Sequence, residues 1–327
     1  MNKENNREVE TSGIKRSKYE IDMCNGTIMD KLISFALPLM LSGVLQLMFN
    51  AVDIIVVGRF TGSQALAAVG STSALINIFT NLFIGISLGS NVLAARFYAA
   101  GKSKEMSETV HTSITIALIS GIIMAFVGAI FAKGALELMD TPDDVIDQSV
   151  LYMRIYFMGM PFFMLYNYGA AILRAVGDTK RPLLFLIISG ITNAVLNLIL
   201  VIVFGLGVAG VAIATVIAQL ISCVLVLACL CRSQSSYRLY FNKLGIRGDY
   251  MVQIFKVGVP AGIQSVVINF SNALLQSSVN SFGSTAMAGY TAANNLLGFL
   301  YVSINSVTQA CMSFTCLLYT SPSPRDS

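Results

Sequence analysis

The chain has 327 residues, of which 55% are hydrophobic and 12% charged, with a net charge of +4. A soluble globular chain carries about 25% charged residues. That deficit, with a mean hydropathy of +0.72, excludes an ordinary soluble domain and puts most of the chain in lipid.

Residues 1–31 are polar, with no apolar core or small-residue cleavage site, so they read as a cytoplasmic N-terminal segment and not as a signal peptide. A membrane helix needs about 20 apolar residues. Eight stretches meet that length: 32–57, 65–95, 107–138, 145–171, 183–204, 208–230, 255–279 and 287–314. The chain therefore reads as an all-α polytopic membrane protein. Its basic residues alternate between connections. Arg96, Lys102 and Lys104 follow the second predicted helix, Arg174, Lys180 and Arg181 the fourth, and Arg232, Arg238, Lys243, Arg247 and Lys256 the sixth, whereas the connection at 139–144 is acidic. Lys and Arg stay cytoplasmic, which places the N-terminus and the even-to-odd connections inside.

In chain order, the first predicted helix carries Pro38 and then Gln46, Asn50 and Asp53 on one face. A carboxylate in a membrane helix costs about 2.5–3.5 kcal/mol on insertion scales. Two readings fit Asp53: an ion or proton site, or an interfacial acid close to Arg59. Arg154, in the fourth helix, reads as snorkelling outward toward the acidic connection near Asp147, with a substrate role as the alternative. Pro38, Pro161 and Pro260 interrupt helices, as fixed kinks or as hinges.

The fifth helix carries Asn193 and Asn197, and the sixth Thr215 and Gln219, each pair four residues apart. The seventh carries Asn269, Asn272 and Gln276, and the eighth Asn294, Asn295, Asn305 and Gln309. Such groups either bond helices together at about 0.6 kcal/mol each or line a wet central cavity, and several polar faces together favour the cavity. The six cysteines form no CxxC pair and the single histidine, His111, has no metal spacing with them. The cysteines read as small packing residues. No Walker A sequence is present, and no His/carboxylate or Ser/Lys constellation, so neither ATP-driven transport nor an enzyme is expected.

The connection at 232–254 is the longest and most basic. Residues 249–256 could form a short surface helix there. Beyond it the chain repeats. Phe35-Ala-Leu-Pro38 matches Val257-Gly-Val-Pro260, and the same offset of 222 residues carries Ser42 onto Gln264 and Asn50 onto Asn272. A repeat of about 220 residues with six helices gives two parallel lobes: helices 1–6 over 32–231, and the first two helices of a second lobe over 255–315. The tail 316–327, CLLYTSPSPRDS, does not continue the last helix. It reads as a translated sequencing adapter, so the natural frame is expected to run on after Thr315 through four more apolar helices. The 327-residue product alone is expected to be inactive.

At the fourth-to-fifth junction, Ile172-Leu-Arg-Ala-Val-Gly-Asp-Thr-Lys-Arg-Pro182 is similar to a signature of the multidrug and toxic compound extrusion (MATE) family. So are Val52-Asp53-Ile-Ile-Val-Val-Gly58 and Gly207-Val-Ala-Gly-Val-Ala-Ile-Ala-Thr215. The resemblance covers residues 30–315 and looks closest to bacterial DinF-like members. It implies a two-lobe, V-shaped exporter that expels amphipathic, often cationic compounds in exchange for H⁺ or Na⁺, with no other cofactor. It places Asp53 in the cation site, with Asn197, and more loosely Asn193 and Thr215, assisting. Gln46, Asn50, Asn272 and Gln276 become cavity candidates, and Pro38 and Pro260 hinge candidates. The chain departs from the branch at Val201, where many members have a second Asp, and it has no carboxylate in helix 7. A lone carboxylate suits H⁺ at least as well as Na⁺. The expected setting is the bacterial inner membrane, as a monomer in lipid with no nucleic-acid partner. A lipid-linked oligosaccharide flippase and a non-transporting scaffold are the rival readings.

Overall fold

The computed structural model describes residues 28–139, 141–280 and 284–320. Residues 1–27 of the expected N-terminal segment and 321–327 of the expected tail lie outside the described residues; residues 28–31 already belong to the first helix, and the last helix continues through 316–320, which the sequence pattern places in the tail. The described elements are helical: α1 (Ile28–Phe60), α2 (Ser63–Ala99), α3 (Ser103–Leu138), α4 (Asp143–Met158), α5 (Met160–Ala175), α6 (Lys180–Leu198), α7 (Gly207–Arg232), α8 (Gly248–Asn280) and α9 (Ser284–Thr320). Helices α1 to α7 form one bundle; α8 packs along α2, and α9 packs along α1 and α2.

Six described spans are long and apolar enough to cross a membrane: Met29–Phe60, Gln64–Ala99, Ser103–Leu138, Lys180–Val203, Gly207–Arg232 and Gly248–Asn272. Their outward faces are apolar. On α3, Ile119, Ile122, Ile123, Phe126 and Ile130 are all exposed at helical spacing. The opposite face buries small residues, including Gly121, Gly128 and Ala132, against α4 and α5. Small residues let membrane helices approach closely where lipid gives no hydrophobic drive for association.

The predicted fourth helix is two helices. Gly159 separates α4 from α5, and Pro161 lies in the first turn of α5. A proline there has no N–H to continue the ladder and crowds the carbonyl four residues earlier, so the helix restarts. The predicted fifth helix also changes form: α6 ends in a π-helical turn, Ile199–Val203, where the Phe204 N–H reaches the Ile199 carbonyl at 3.1 Å. The separate surface helix expected over 249–256 does not exist. Those residues are the first turns of α8, which is continuous through Pro260. Pro38 likewise lies inside an unbroken α1.

The family-like sequence at 172–182 is a turn that knits three helices. Gly177 takes a left-handed conformation, φ +90°, and the Asp178 N–H returns to the Leu173 carbonyl at 2.9 Å, which closes α5. The buried Asp178 accepts the Arg181 N–H at 3.1 Å and pairs with the Arg181 guanidinium at 3.0 Å, which opens α6. Arg181 also donates to the Cys229 sulfur of α7 at 3.2 Å.

The basic connection between α7 and α8 is docked on the start of α3. His111 is buried, its Nδ1 lies 2.6 Å from the Ser107 carbonyl, and its Nε2 accepts the Tyr240 N–H at 3.1 Å. The Tyr240 ring stacks on the imidazole with centroids 6.3 Å apart. Arg247 adds an N–H to the Thr112 hydroxyl and an ion pair with Glu108 at 3.7 Å. Replacing His111 with alanine leaves the Tyr240 amide without its acceptor, a cost of about 1–3 kcal/mol. Amide exchange at Tyr240 is expected to accelerate in that variant, and unchanged protection would show that the loop is held elsewhere.

Candidate functional site

Four of the polar residues singled out in the sequence meet inside the first bundle. Asp53 projects from α1, Asn193 and Asn197 from one face of α6, and Thr215 from α7. The Asn197 amide donates to the Asp53 carboxylate and, at 3.1 Å, to the Asn193 side-chain oxygen. Asn193 donates in turn to the Thr215 hydroxyl at 3.3 Å, and that hydroxyl donates to the Val211 carbonyl at 3.0 Å. The donors therefore run in one sense from Asn197 through Asn193 and Thr215 to the α7 backbone, and the second N–H of Asn197 ties this row to the acid. Asn193 and Asn197 are buried and Asp53 is half-buried.

The side-chain oxygen of Asn197 is buried and has no donor among the described residues. With the Asp53 carboxylate, the Asn193 oxygen and the Thr215 hydroxyl it forms an oxygen-rich cluster, the donor type that suits a proton or a hard cation. The π turn begins two residues after Asn197, and such turns recur at functional sites. It buries Val201, the position where the resemblance would have placed a second acid. Tyr152 and Tyr156 of α4 stand near Asp53, one turn apart, with ring centroids separated by 6.1 Å. Neither tyrosine is among the residues singled out in the sequence. Their four-residue spacing on the predicted fourth helix is the signal that could have found them.

A second polar region is separate from this cluster. A cavity of about 1000 Å³ lies among α1, α2, α5, α8 and α9, lined by Asn81, Asn91, Arg174, Gln264, Asn272 and Gln309 among others. Asn272 lies in the wall of this cavity. Gln46 and Asn50 are exposed on α1 and do not line this cavity, and the Gln276 side chain lies outside the described residues. Arg154 is exposed, and its Nε donates to the Ala129 carbonyl of α3 at 3.1 Å.

Between the two helical groups the contact is close. Gly85 and Gly89 of α2 face Gly258 and Gly262 of α8 with almost no intervening space; a Cβ on Gly85 would lie 2.3 Å from the Gly262 Cα. At the same end, the Ser313 hydroxyl of α9 donates to the Asn91 oxygen at 3.4 Å, and Asn91 donates to the Ala171 carbonyl at 2.8 Å. The cavity lies beside this seam, with Gly85 and Ala261 in its wall.

The chain is similar to known proteins in sequence and in fold. The MatE family model matches residues 38–199. The probable multidrug resistance protein YoeA of Bacillus subtilis (strain 168) is 35% identical over 289 residues, which is 86% of this chain and 62% of that protein. The chain belongs to the MATE family. The multidrug export protein MepA of Staphylococcus saprophyticus is a more distant MATE relative of this chain, 21% identical over 82% of it and 59% of MepA. A crystal structure of a MATE protein in complex with MaD3S superposes with a TM-score of 0.87 at 22% identity, over 94% of this chain and 69% of that one. The fold is thus the two-lobe MATE fold, with α1–α7 as the first lobe and α8 and α9 as the opening helices of the second. The chain spans about three fifths of the length of these curated MATE relatives, 62% and 59%.

Proposed function

We propose that this protein is an ion-coupled exporter of amphipathic compounds in the bacterial inner membrane, with its N-terminus on the cytoplasmic side. The observation that carries the reading is the Asp53–Asn197–Asn193–Thr215 relay. It joins three helices of one lobe around a single carboxyl, inside a bundle whose outer face is apolar. Ion binding at such a point acts on helix packing and can bias the lobe between two arrangements. Coupling requires that the ion and the exported compound prefer different arrangements. The glycine seam between α2 and α8 and the cavity beside it supply the surfaces that would open and close, with Pro38 and Pro260 as hinges. The names of the relatives, multidrug resistance and multidrug export, support an exported compound in place of a lipid-linked sugar.

The test uses inverted membrane vesicles from cells expressing the gene read on to its own stop codon. A pH gradient and a sodium gradient are imposed separately, and uptake of an amphipathic dye is followed. One gradient is expected to drive uptake and the other not, which names the coupling ion. Equal uptake with no gradient at all would end the ion-coupled reading.

A further inference from the structure

The cavity beside the glycine seam has the opposite electrostatic character from the Asp53 cluster. Among the described residues that line it there is no Asp, Glu, Lys or His, and the one side chain charged at neutral pH is Arg174. Its other polar lining is neutral, from amides and hydroxyls such as Asn91, Gln264, Gln309 and Ser313. Arg174 stands in the last turn of α5 and is half-buried. No described residue gives its guanidinium an ion pair or a hydrogen bond. Its neighbour one turn earlier, Ala171, also lines the cavity, so both face it from the same side of the helix. Around it, Asn91 donates an N–H to the Ala171 carbonyl, Ser313 donates to Asn91, and Tyr166, the neighbour of the guanidinium, gives its hydroxyl proton to the Pro182 carbonyl at 3.2 Å. The Arg174 fork is therefore left for a ligand.

A guanidinium withdrawn from water without a counter-charge is unfavourable. Its planar donors fit a carboxylate or phosphate in two parallel bonds. The same charge repels a cation, and does so more strongly in a partly dehydrated cleft than in water. The rest of the wall includes Phe35, Leu39, Leu88 and Met312, which suits an apolar body. The volume, about 1000 Å³, is at the upper end of drug-sized pockets.

We infer that this cavity binds amphipathic organic anions, with the carboxylate or phosphate seated on Arg174 and the apolar body against the α1 and α2 wall. The inference rests on the export reading for its view of the cavity as the substrate path, and it narrows the substrate to a charge class. Anion binding and the ion-coupling cluster then occupy different places. The acid at Asp53 handles the coupling ion and Arg174 selects the cargo.

The test is equilibrium dialysis of the purified protein in phosphatidylcholine nanodiscs against two radiolabelled probes with the same ring system, 1-naphthylacetate and 1-naphthylmethylammonium. The anion is expected to bind at least about tenfold tighter than the cation, a factor worth about 1.4 kcal/mol. Arg174→Gln is expected to erase that ratio, and Arg174→Lys to keep the preference with weaker binding. Equal or tighter binding of the cation, binding of neither probe, or an Arg174→Gln ratio unchanged from the original protein would each overturn the inference. If Arg174→Gln does not fold, the ratio in the unmodified protein still decides. Adding phosphatidylglycerol to the nanodiscs separates the sources: competition that depends on Arg174 assigns the anion to a lipid headgroup, and no competition assigns it to a free organic anion. No gradient is present, so loss of the anion preference leaves ion-coupled export standing, and failure of coupled export leaves the binding result standing.

Discussion

Asp53→Asn is expected to lower gradient-driven export to the level of cells carrying an empty vector, while the amount of protein in the membrane stays the same. The substitution keeps the size and shape of the side chain and removes only its capacity to exchange a proton or ligate a cation through charge. Asn197 still finds an oxygen to donate to, so the relay to Asn193 and Thr215 persists. Losing one charge-assisted hydrogen bond costs folding at most about 3 kcal/mol, which a membrane-inserted bundle of this size tolerates. Thermal melting of the variant in detergent separates the two effects, because a coupling defect leaves the melting curve near its original position. Export at the unmodified rate would remove Asp53 from the mechanism. Asn197→Leu is the companion change. It removes the donor and places an apolar group beside the acid, so it is expected to reduce export while Asp53 remains.

Much of this cluster is legible in the amino-acid sequence. The four-residue spacing of Asn193 and Asn197 puts both on one helical face, and an acid in the first membrane helix demands a partner at that depth. What the sequence does not contain is the direction of each amide. Asn197 and Asn305 look alike on apolar helices, yet one is bonded to Asp53 and the other lines the cavity wall. Only the packing of α6 on α1, and of α9 across α2, separates them. The same holds for Gln46 and Asn50, which share a face with Asp53 but do not line the described cavity. Arg174 sits within a family-like motif and has the look of one more loop charge, because nothing local tells that its side chain faces a cavity. The break at Gly159 and the π turn after Leu198 leave the hydropathy unchanged, so they are hidden from any reading based on length and apolar content. The 222-residue offset goes further than the motifs that reveal it. Asn91 and Ser313 are separated by the same number, and they meet at 3.4 Å. The two halves thus touch through residues near the same ends of their second helices.

The glycine seam gives the second large effect. Gly89→Ala is expected to separate α2 from α8 and to lower the melting temperature. A Cβ on Gly89 would lie 2.1 Å from the Ile254 carbonyl oxygen, and one on Gly85 2.3 Å from the Gly262 Cα. Both obstacles are backbone, so no side-chain rotation relieves them and the helices themselves have to shift. Overpacking of this kind costs about 1–3 kcal/mol per site. The spacing is mutual, Gly85 with Gly89 and Gly258 with Gly262, so each helix offers a small-residue groove to the other. Gly70→Ala in the same α2 is the control: nothing lies within 4 Å of its added Cβ, and alanine is expected to stabilise that helix by about 0.5–1 kcal/mol. Spin labels at positions 102 and 315, in a cysteine-free background, report the gap between the lobes at this end. The distance is expected to increase in Gly89→Ala and to stay put in Gly70→Ala. An unchanged distance with an unchanged melting temperature would mean that the two helices are not held together by backbone approach. If the distance grows and export falls together, the seam is the surface that must close in each transport cycle, since a single methyl group there acts on both lobes without touching the Asp53 relay or Arg174.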